Sequence, residues 1–325
     1  MDRFFVIINE ASPGSWPDLF WSDLKGQAEI FLDNNTLRSE RLRKIKKAHF
    51  SNIINRKLFL PFKSIWDLSN SLPLNKINPK DRCFVIFQSA VKFSPHYIKK
   101  LKKNGAIIIL YLPDTVEKLG LAKNKKELRQ YESRYYIDKT YSFDPHDSEV
   151  YDITFFDIYS SLSHNMSKQH DNGVFYIGNC RTAERLDTLN KIYDRLSRTI
   201  NCDFRLVGVE DESSVHSGIT CNQPLSYSQV LDLIADTNCV LEIMNESQQG
   251  NTLRSKEAIC FNKRLLTNNA NIVNNPYYNP RFIQYFSKPE DIRLDWFEKD
   301  VQVDYGYQGE YSPRAFLKLL EKDFE

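Results

Sequence analysis

One stretch constrains this chain more than any other: residues 239–269, CVLEIMNESQQGNTLRSKEAICFNKRLLTNN. An apolar run, 239–243, has the length of a buried strand. A polar loop follows and ends in Gly250, then a helix-compatible segment, 252–261, then two cations and a second apolar run, 265–267. Strand, glycine turn, helix and strand make a βαβ unit, which belongs in a parallel sheet. In such a unit the loop after the first strand opens into a helix N-terminus, where unpaired amides and the helix dipole favour an anion. Gly250 permits close approach to the backbone and Thr252 has the chemistry of an N-cap. Arg254 offers a fork of donors to a phosphate, backed by the amides of Gly250, Asn251, Thr252 and Leu253. Glu257 lies about one and a half turns into the helix, where a carboxylate accepts hydrogen bonds from ribose hydroxyls.

The rest of the chain alternates in the same way. Apolar runs at 3–8, 82–88, 106–112, 139–143, 174–177 and 203–209 read as strands. Segments 20–32, 94–103, 124–135, 182–199, 226–238 and 313–324 read as helices. Polar residues 160–172 have no periodicity and read as a linker. The expected fold class is therefore α/β, with one half over 1–160, a second over 173–311 and a closing helix over 312–325. The second half opens with a strand, Gly178-Asn179 and a helix whose start carries Arg181 and Arg185, within reach of a diphosphate. Residues 210–224 read as an irregular loop able to cup a nucleotide base. Tyr227, in the first turn of the following helix, either meets that base or packs on the sheet.

A resemblance rests on these residues. Gln249, seven intervening residues, then Glu257-Ala258 resembles the Glu-seven-Glu-Ala signature of GT-B glycosyltransferases, with Gln249 in place of the first acid. The longer run, Leu-Glu-Ile through Gln-Gly-x-Thr-Leu-Arg and Glu-Ala to Lys-Arg-Leu-Leu-Thr-Asn-Asn, is similar to bacterial polysaccharide and lipopolysaccharide glycosyltransferases. The segment 141–153, with Asp144, His146 and Asp147, resembles the end of their N-terminal domain. The resemblance implies the GT-B fold: two Rossmann-like domains facing a central cleft, the final helix crossing back to the first. It implies a hexosyltransferase that takes a UDP- or GDP-linked sugar to a glycan or lipid-linked saccharide in bacterial surface polysaccharide synthesis. Gln249 would meet the donor sugar, the following amides the phosphates and Glu257 the ribose; the signature leans towards retention. If the reaction instead inverts, the base comes from the N-terminal loops, where Glu10 and Asp114 are candidates. A nucleotide-sugar epimerase and a non-catalytic nucleotide-sugar-binding subunit are the alternatives.

Composition narrows the partners. A net charge of +2 over 325 residues does not point to nucleic acid, and none is expected. Residues 38–63, in contrast, carry nine Lys and Arg against Glu40, interleaved with apolar residues at helical spacing, as in a helix resting on an anionic membrane. No apolar run approaches the ~20 residues that span a bilayer, and the N-terminus reads as a strand. The six cysteines are scattered, with no C-x-x-C pair, and His146 has no second ligand at metal spacing. Reduced thiols, a cytoplasmic or peripherally membrane-bound protein, and neither metal nor cofactor are expected. No G-x-G-x-x-G follows the first strand, so a nicotinamide enzyme is not indicated.

Overall fold

The computed structural model describes residues 1–9, 15–24, 26–33, 37–159, 173–244, 250–298 and 301–325. Glu10, Gln249 and the linker reading over 160–172 fall outside them. The chain divides into two compact units, Met1–Ser161 with Tyr311–Glu325, and Leu162–Glu310.

Unit 1 runs β1 (Asp2–Ile8), α1 (Trp16–Leu19), β2 (Ala28–Leu32), α2 (Glu40–His49), α3 (Asn52–Lys57), β3 (Arg82–Gln88), α4 (Pro95–Lys103), β4 (Ala106–Leu112), α5 (Lys125–Arg134), β5 (Lys139–Ser142), α6 (Pro145–Tyr151) and β6 (Thr154–Phe155). The strands form a six-stranded sheet in the order β2-β1-β3-β4-β5-β6, parallel at every pairing. β1, β3 and β4 are near-continuous apolar runs because both faces of the sheet are covered. Alternate residues serve opposite cores: Phe5, Ile7, Val85, Phe87, Ile108 and Leu110 on one face, and Phe4, Val6, Ile8, Phe84, Ile86 and Ile109 on the other.

Unit 2 runs β7 (Gly173–Asn179), α7 (Ala183–Leu196), β8 (Asn201–Val207), β9 (Thr220–Cys221), α8 (Tyr227–Asp236), β10 (Cys239–Glu242), α9 (Leu253–Cys260), β11 (Arg264–Thr267), β12 (Ile283–Tyr285) and α10 (Asp295–Glu298). Its sheet, also parallel throughout, has the order β12-β11-β10-β7-β8-β9. Counted within the unit, this is the doubly wound order of the Rossmann fold, and the winding reverses between β7 and β10. In unit 1 the reversal falls between β1 and β3.

The last helix, α11 (Pro313–Asp323), returns to unit 1. Phe316, fully buried, packs on Trp21, Tyr111 and Tyr141. Arg82 donates to the carbonyls of Glu321 and Phe324, and Lys139 pairs with Asp323 at 2.8 Å.

Three expectations change. Residues 20–32 are not a helix: Gly26 sits at φ +82°, where a helix cannot continue, and Ala28–Leu32 instead pair with Phe4–Ile8 as β2. Residues 210–224 are not wholly irregular, since Thr220 and Cys221 form the edge strand β9 beside β8. The basic stretch is two helices, not one, and α2 turns its pattern inside out. Lys46 is its buried residue, paired with Asp33 at 3.1 Å, while Leu42 and Ile45 lie exposed.

Beyond β5, Asp144 caps α6 by accepting from the Asp147 amide, and the buried Asp147 accepts from the Val116 amide at 2.7 Å. Burial pushes the Asp147 carboxyl up to about 6, against the pull of that amide, with the neighbouring Asp144 adding to the rise. A folded-state value above the unfolded one means the folded state holds its proton longer. Stability therefore falls as pH rises from about 4 to 6 and stays reduced above that. Asp147→Asn keeps the acceptor for Val116 and removes the charge. It is expected to raise the melting temperature at about pH 7.5 and to change it little near pH 4. An equal effect at both pH values would contradict the shift.

Candidate functional site

In an open parallel sheet, ligands bind beyond the carboxyl ends of the strands where the winding reverses. In unit 2 that place lies between the loops after β7 and β10. Two networks of side chains build it.

The first holds the loop after β10. Glu242, the last residue of that strand, is 1% exposed. Its Oε1 accepts from the Thr252 hydroxyl and from the Thr252 amide at 3.3 Å, and its Oε2 accepts from the Thr267 hydroxyl at 2.5 Å. Thr252 is the N-cap of α9, and its oxygen in turn accepts from the Arg254 amide at 3.1 Å. One carboxylate thus ties the ends of β10 and β11 to the start of α9. The first amides of the helix, beginning at Leu253, have no intrahelical acceptor, as at any helix start. Gly250 is buried, and Asn251 accepts from Asn275 Nδ2 at 3.3 Å. The Asn268 side chain accepts from the Met244 amide at 2.7 Å. Next to it, the buried Asn269 keeps an Nδ2 donor without a partner among the described residues.

The second network centres on Glu257, which is completely buried. Tyr227 donates to its Oε1 at 2.7 Å, and Arg254 Nη1 pairs with its Oε2. Burial pushes the Glu257 carboxyl up, while Arg254, the Tyr227 hydroxyl and Lys256 pull the other way. A carboxylate has about four acceptor sites, and two are in use. Both oxygens are held, one by Tyr227 and one by Arg254, and the carboxylate is closed to solvent. Tyr227 comes to this position because the Ser226–Gln229 capping box starts α8 immediately before it.

The two arginines at the start of α7 part company. Arg185 turns inward: its guanidinium donates to the Tyr176 hydroxyl at 3.1 Å and to the Ile243 carbonyl at 2.9 Å, so it links the first turn of α7 to strand β7 and to the residue after β10. Arg181 stays exposed, its side chain lying 3.5 Å from where a Cβ on Gly208 would stand. Gly178 is required by packing, because a Cβ there would meet the Tyr176 hydroxyl at 2.6 Å; Asn179 beside it is exposed.

The residues expected at the site from sequence therefore fall into groups. Arg254, Glu257 and Tyr227 come together, while Gly250 to Leu253 form the helix start above Glu242. Gly178 and Asn179 end β7, and Arg181 stands apart. Glu242 and Asn269 were missed. An acid inside the apolar run Val240–Ile243 was the available signal for the first; nothing local marks the second. In unit 1, Asp114 accepts from the Thr115 amide at 3.0 Å and pairs with Lys118 at 2.7 Å, so both of its oxygens are engaged. Glu10 and Gln249 lie outside the described residues. Among the described residues, no group of His, Cys, Asp or Glu is placed to hold a metal ion.

No protein-family model matches the sequence, and no curated protein matches it. Solved structures do. An alpha-glucosyltransferase in complex with UDP and a 13-mer DNA matches over 99% of this chain and 98% of that one, with a TM-score of 0.52 and 13% identity. A trehalose-phosphate synthase (UDP-forming) from Burkholderia vietnamiensis matches over 90% and 89%, with a TM-score of 0.49 and 11% identity. A Listeria monocytogenes protein described as a UDP-N-acetylglucosamine 2-epimerase matches over 99% and 98%, at 0.47 and 10%. Of these three the first alone has a TM-score above one half, and at its identity the likeness is one of fold. The chain has the GT-B fold class: two Rossmann-like α/β units, with its last helix returned to the first.

Proposed function

We propose that this chain is a glycosyltransferase that takes a sugar from a nucleotide-linked donor, UDP-linked in the first instance, to a saccharide or lipid-linked acceptor. The observation that carries this reading is the Arg254–Glu257–Tyr227 cluster at the winding reversal of unit 2, beside a helix start anchored by Glu242. Arg254, Arg185 and the first amides of α9 supply positive charge where a diphosphate leaves, with the exposed Arg181 as a further cation. Glu257 takes the ribose hydroxyls. Gln249 meets the sugar by the signature resemblance. With Glu10 outside the described residues and Asp114 engaged, we assign no base.

Bacterial surface polysaccharide synthesis is the context the sequence resemblance favours. The expectation of no nucleic-acid partner finds no support in the glucosyltransferase neighbour, whose complex contains DNA. A UDP-release assay with a panel of UDP-sugars, offered with oligosaccharides, lipid-linked saccharides and duplex DNA in turn, tests the reading. Acceptor-dependent release supports a transferase. Conversion of the donor without any acceptor would replace it with an epimerase, and no turnover with every donor would leave a binding subunit.

We also propose that unit 1 docks on an anionic membrane. No helix among the described residues is long and apolar enough to cross one. Leu58 is 67% exposed, Phe62 77% and Leu68 102%, continuous in sequence with the exposed Ile53 and Ile54 and flanked by Lys57 and Arg56. Apolar residues among cations fit the interface of an anionic bilayer. Leu58→Asp with Phe62→Asp is expected to weaken co-sedimentation with phosphatidylglycerol vesicles roughly 10- to 100-fold, from the loss of two inserted side chains. Undiminished binding would contradict the proposal.

A further inference from the structure

Residues 61–71 of unit 1 are arranged inside out. Phe62, Ile65 and Leu68 are exposed, while Lys63 is 3% exposed. Asp67 Oδ1, both amide atoms of Asn70 and Ser71 Oγ are also buried, and none has a hydrogen-bond partner among the described residues. Each buried polar atom without a partner costs free energy. Phe62 adds backbone strain, because its φ of +59° lies in the left-handed region that a bulky side chain rarely adopts.

Lys63 is a cation without a carboxylate. Its ammonium donates to the His49 carbonyl and lies 4.8 Å from the centre of the Phe50 ring and 4.9 Å from that of Phe59. Burial, with the charges of Arg134 and Lys92, pushes the ammonium down to about 8, so at pH 7 it is still charged in its buried place.

One residue holds the whole segment. The Trp66 indole N–H donates to His49 Nδ1 at 2.9 Å, His49 Nε2 meets the Pro61 carbonyl at 2.7 Å, and Lys63 takes the His49 carbonyl. Among the described residues, these are the hydrogen bonds that join 61–71 to the rest of the chain. The flanks are fixed separately. The Leu60 amide donates to Asn55 Oδ1 at 3.0 Å, and the Leu72 carbonyl accepts from the Tyr97 hydroxyl at 2.9 Å.

Outward apolar side chains, an inward cation lacking an acid and a single point of attachment make a strap that gains by opening where apolar and anionic groups meet. An anionic bilayer offers both, an apolar interior for Phe62, Ile65 and Leu68 and a lipid phosphate for Lys63. We propose that 61–71 turns over on docking, Lys63 leaving the His49 carbonyl for the phosphate of an anionic phospholipid. The proposal rests on the membrane reading of unit 1 and adds to it a lipid contact at a residue buried in the free protein. When Lys63 leaves, Asn55 Nδ2 still donates to the His49 carbonyl at 2.9 Å, so that acceptor keeps a partner.

Titration of phosphatidylglycerol vesicles against the full chain tests the strap in wild type, Lys63→Met, Lys57→Met and His49→Ala, after thermal unfolding of each. Lys63→Met removes a buried charge that no acid answers, and should raise the melting temperature of the free protein by about 2 °C or more. It should nevertheless weaken vesicle binding roughly 10-fold or more, against about 5-fold for Lys57→Met at an exposed position. His49→Ala releases the strap and should bind tighter than wild type, by roughly 3-fold or more. The proposal is overturned if Lys63→Met binds as well as Lys57→Met, or if His49→Ala binds no tighter than wild type. Should Lys63→Met fail to fold, the direction of the His49→Ala change decides alone. A wild type that does not bind the vesicles at all would defeat the docking reading itself, and the strap with it.

Discussion

Glu242→Ala is expected to lower the stability of the chain by about 3 kcal/mol, because it strips the acceptor from two hydroxyls and an amide in a buried place. The carboxylate accepts from Thr252 and Thr267, and its removal also leaves a cavity next to β10. The larger consequence is functional. Glu242 accepts from both Thr252 and Thr267, so its loss removes a tie between the start of α9 and the ends of the two strands beside it. Nucleotide stabilisation should fall with stability, because the buried Glu242 holds the start of α9 in place. Glu242→Gln retains one acceptor oxygen and should lose less. Urea unfolding of the three proteins checks the order; alanine unfolding at the wild-type midpoint would refute the role of Glu242.

Glu257→Ala is expected to cost roughly 3–5 kcal/mol, since removing one member of a buried pair leaves the other charged and unpaired. Here Arg254 Nη1 and the Tyr227 hydroxyl lose the carboxylate they donate to. Glu257→Gln is the gentler change. It preserves volume and one acceptor, so it should fold while losing the charge that accepts ribose hydroxyls. The two proteins should also differ with pH. Burial places the folded-state value of Glu257 above the unfolded one, so charging it costs stability as pH rises from about 4.5 through the folded-state value. Glu257→Gln lacks that loss, and its deficit against wild type should shrink as pH rises through that window. A deficit that grows with pH would mean the carboxyl is held below its usual range.

The fold class was legible because parallel strands covered on both faces leave continuous apolar runs, as at Val85–Phe87 and Ile108–Leu110, and polar interludes separate them. The anchor of the second unit was legible too: Cys239–Glu242, Leu253–Cys260 and Arg264–Thr267 take the strand, helix and strand expected of them. Misreadings arose where a local signal was outweighed. Ala28–Leu32 has no alternation and follows a helix-like stretch, so its pairing with β1 is decided by tertiary contact and by Gly26. Lys46 looks like the solvated face of a helix until Asp33, thirteen positions earlier, is found beside it. The site was legible in its residue types but not in its wiring. Sequence marks Glu257 as an acid near a helix start, yet its burial under Tyr227, thirty positions earlier, is a property of the fold. Glu242 is hidden in the same way, as a single acid within the apolar run of β10.

We propose that the winding reversal of unit 2 binds a nucleotide through Glu257. Thermal unfolding of wild type and Glu257→Gln against UDP, GDP, CMP, ADP and dTDP tests it most directly. A ligand at about 100 times its Kd adds about 2.7 kcal/mol, which raises the melting temperature by several degrees. One nucleotide, UDP first, is expected to stabilise wild type and to lose that effect in Glu257→Gln while the variant remains folded. Equal stabilisation of both proteins would remove Glu257 from the site, and no stabilisation by any nucleotide would contradict the nucleotide-binding reading itself.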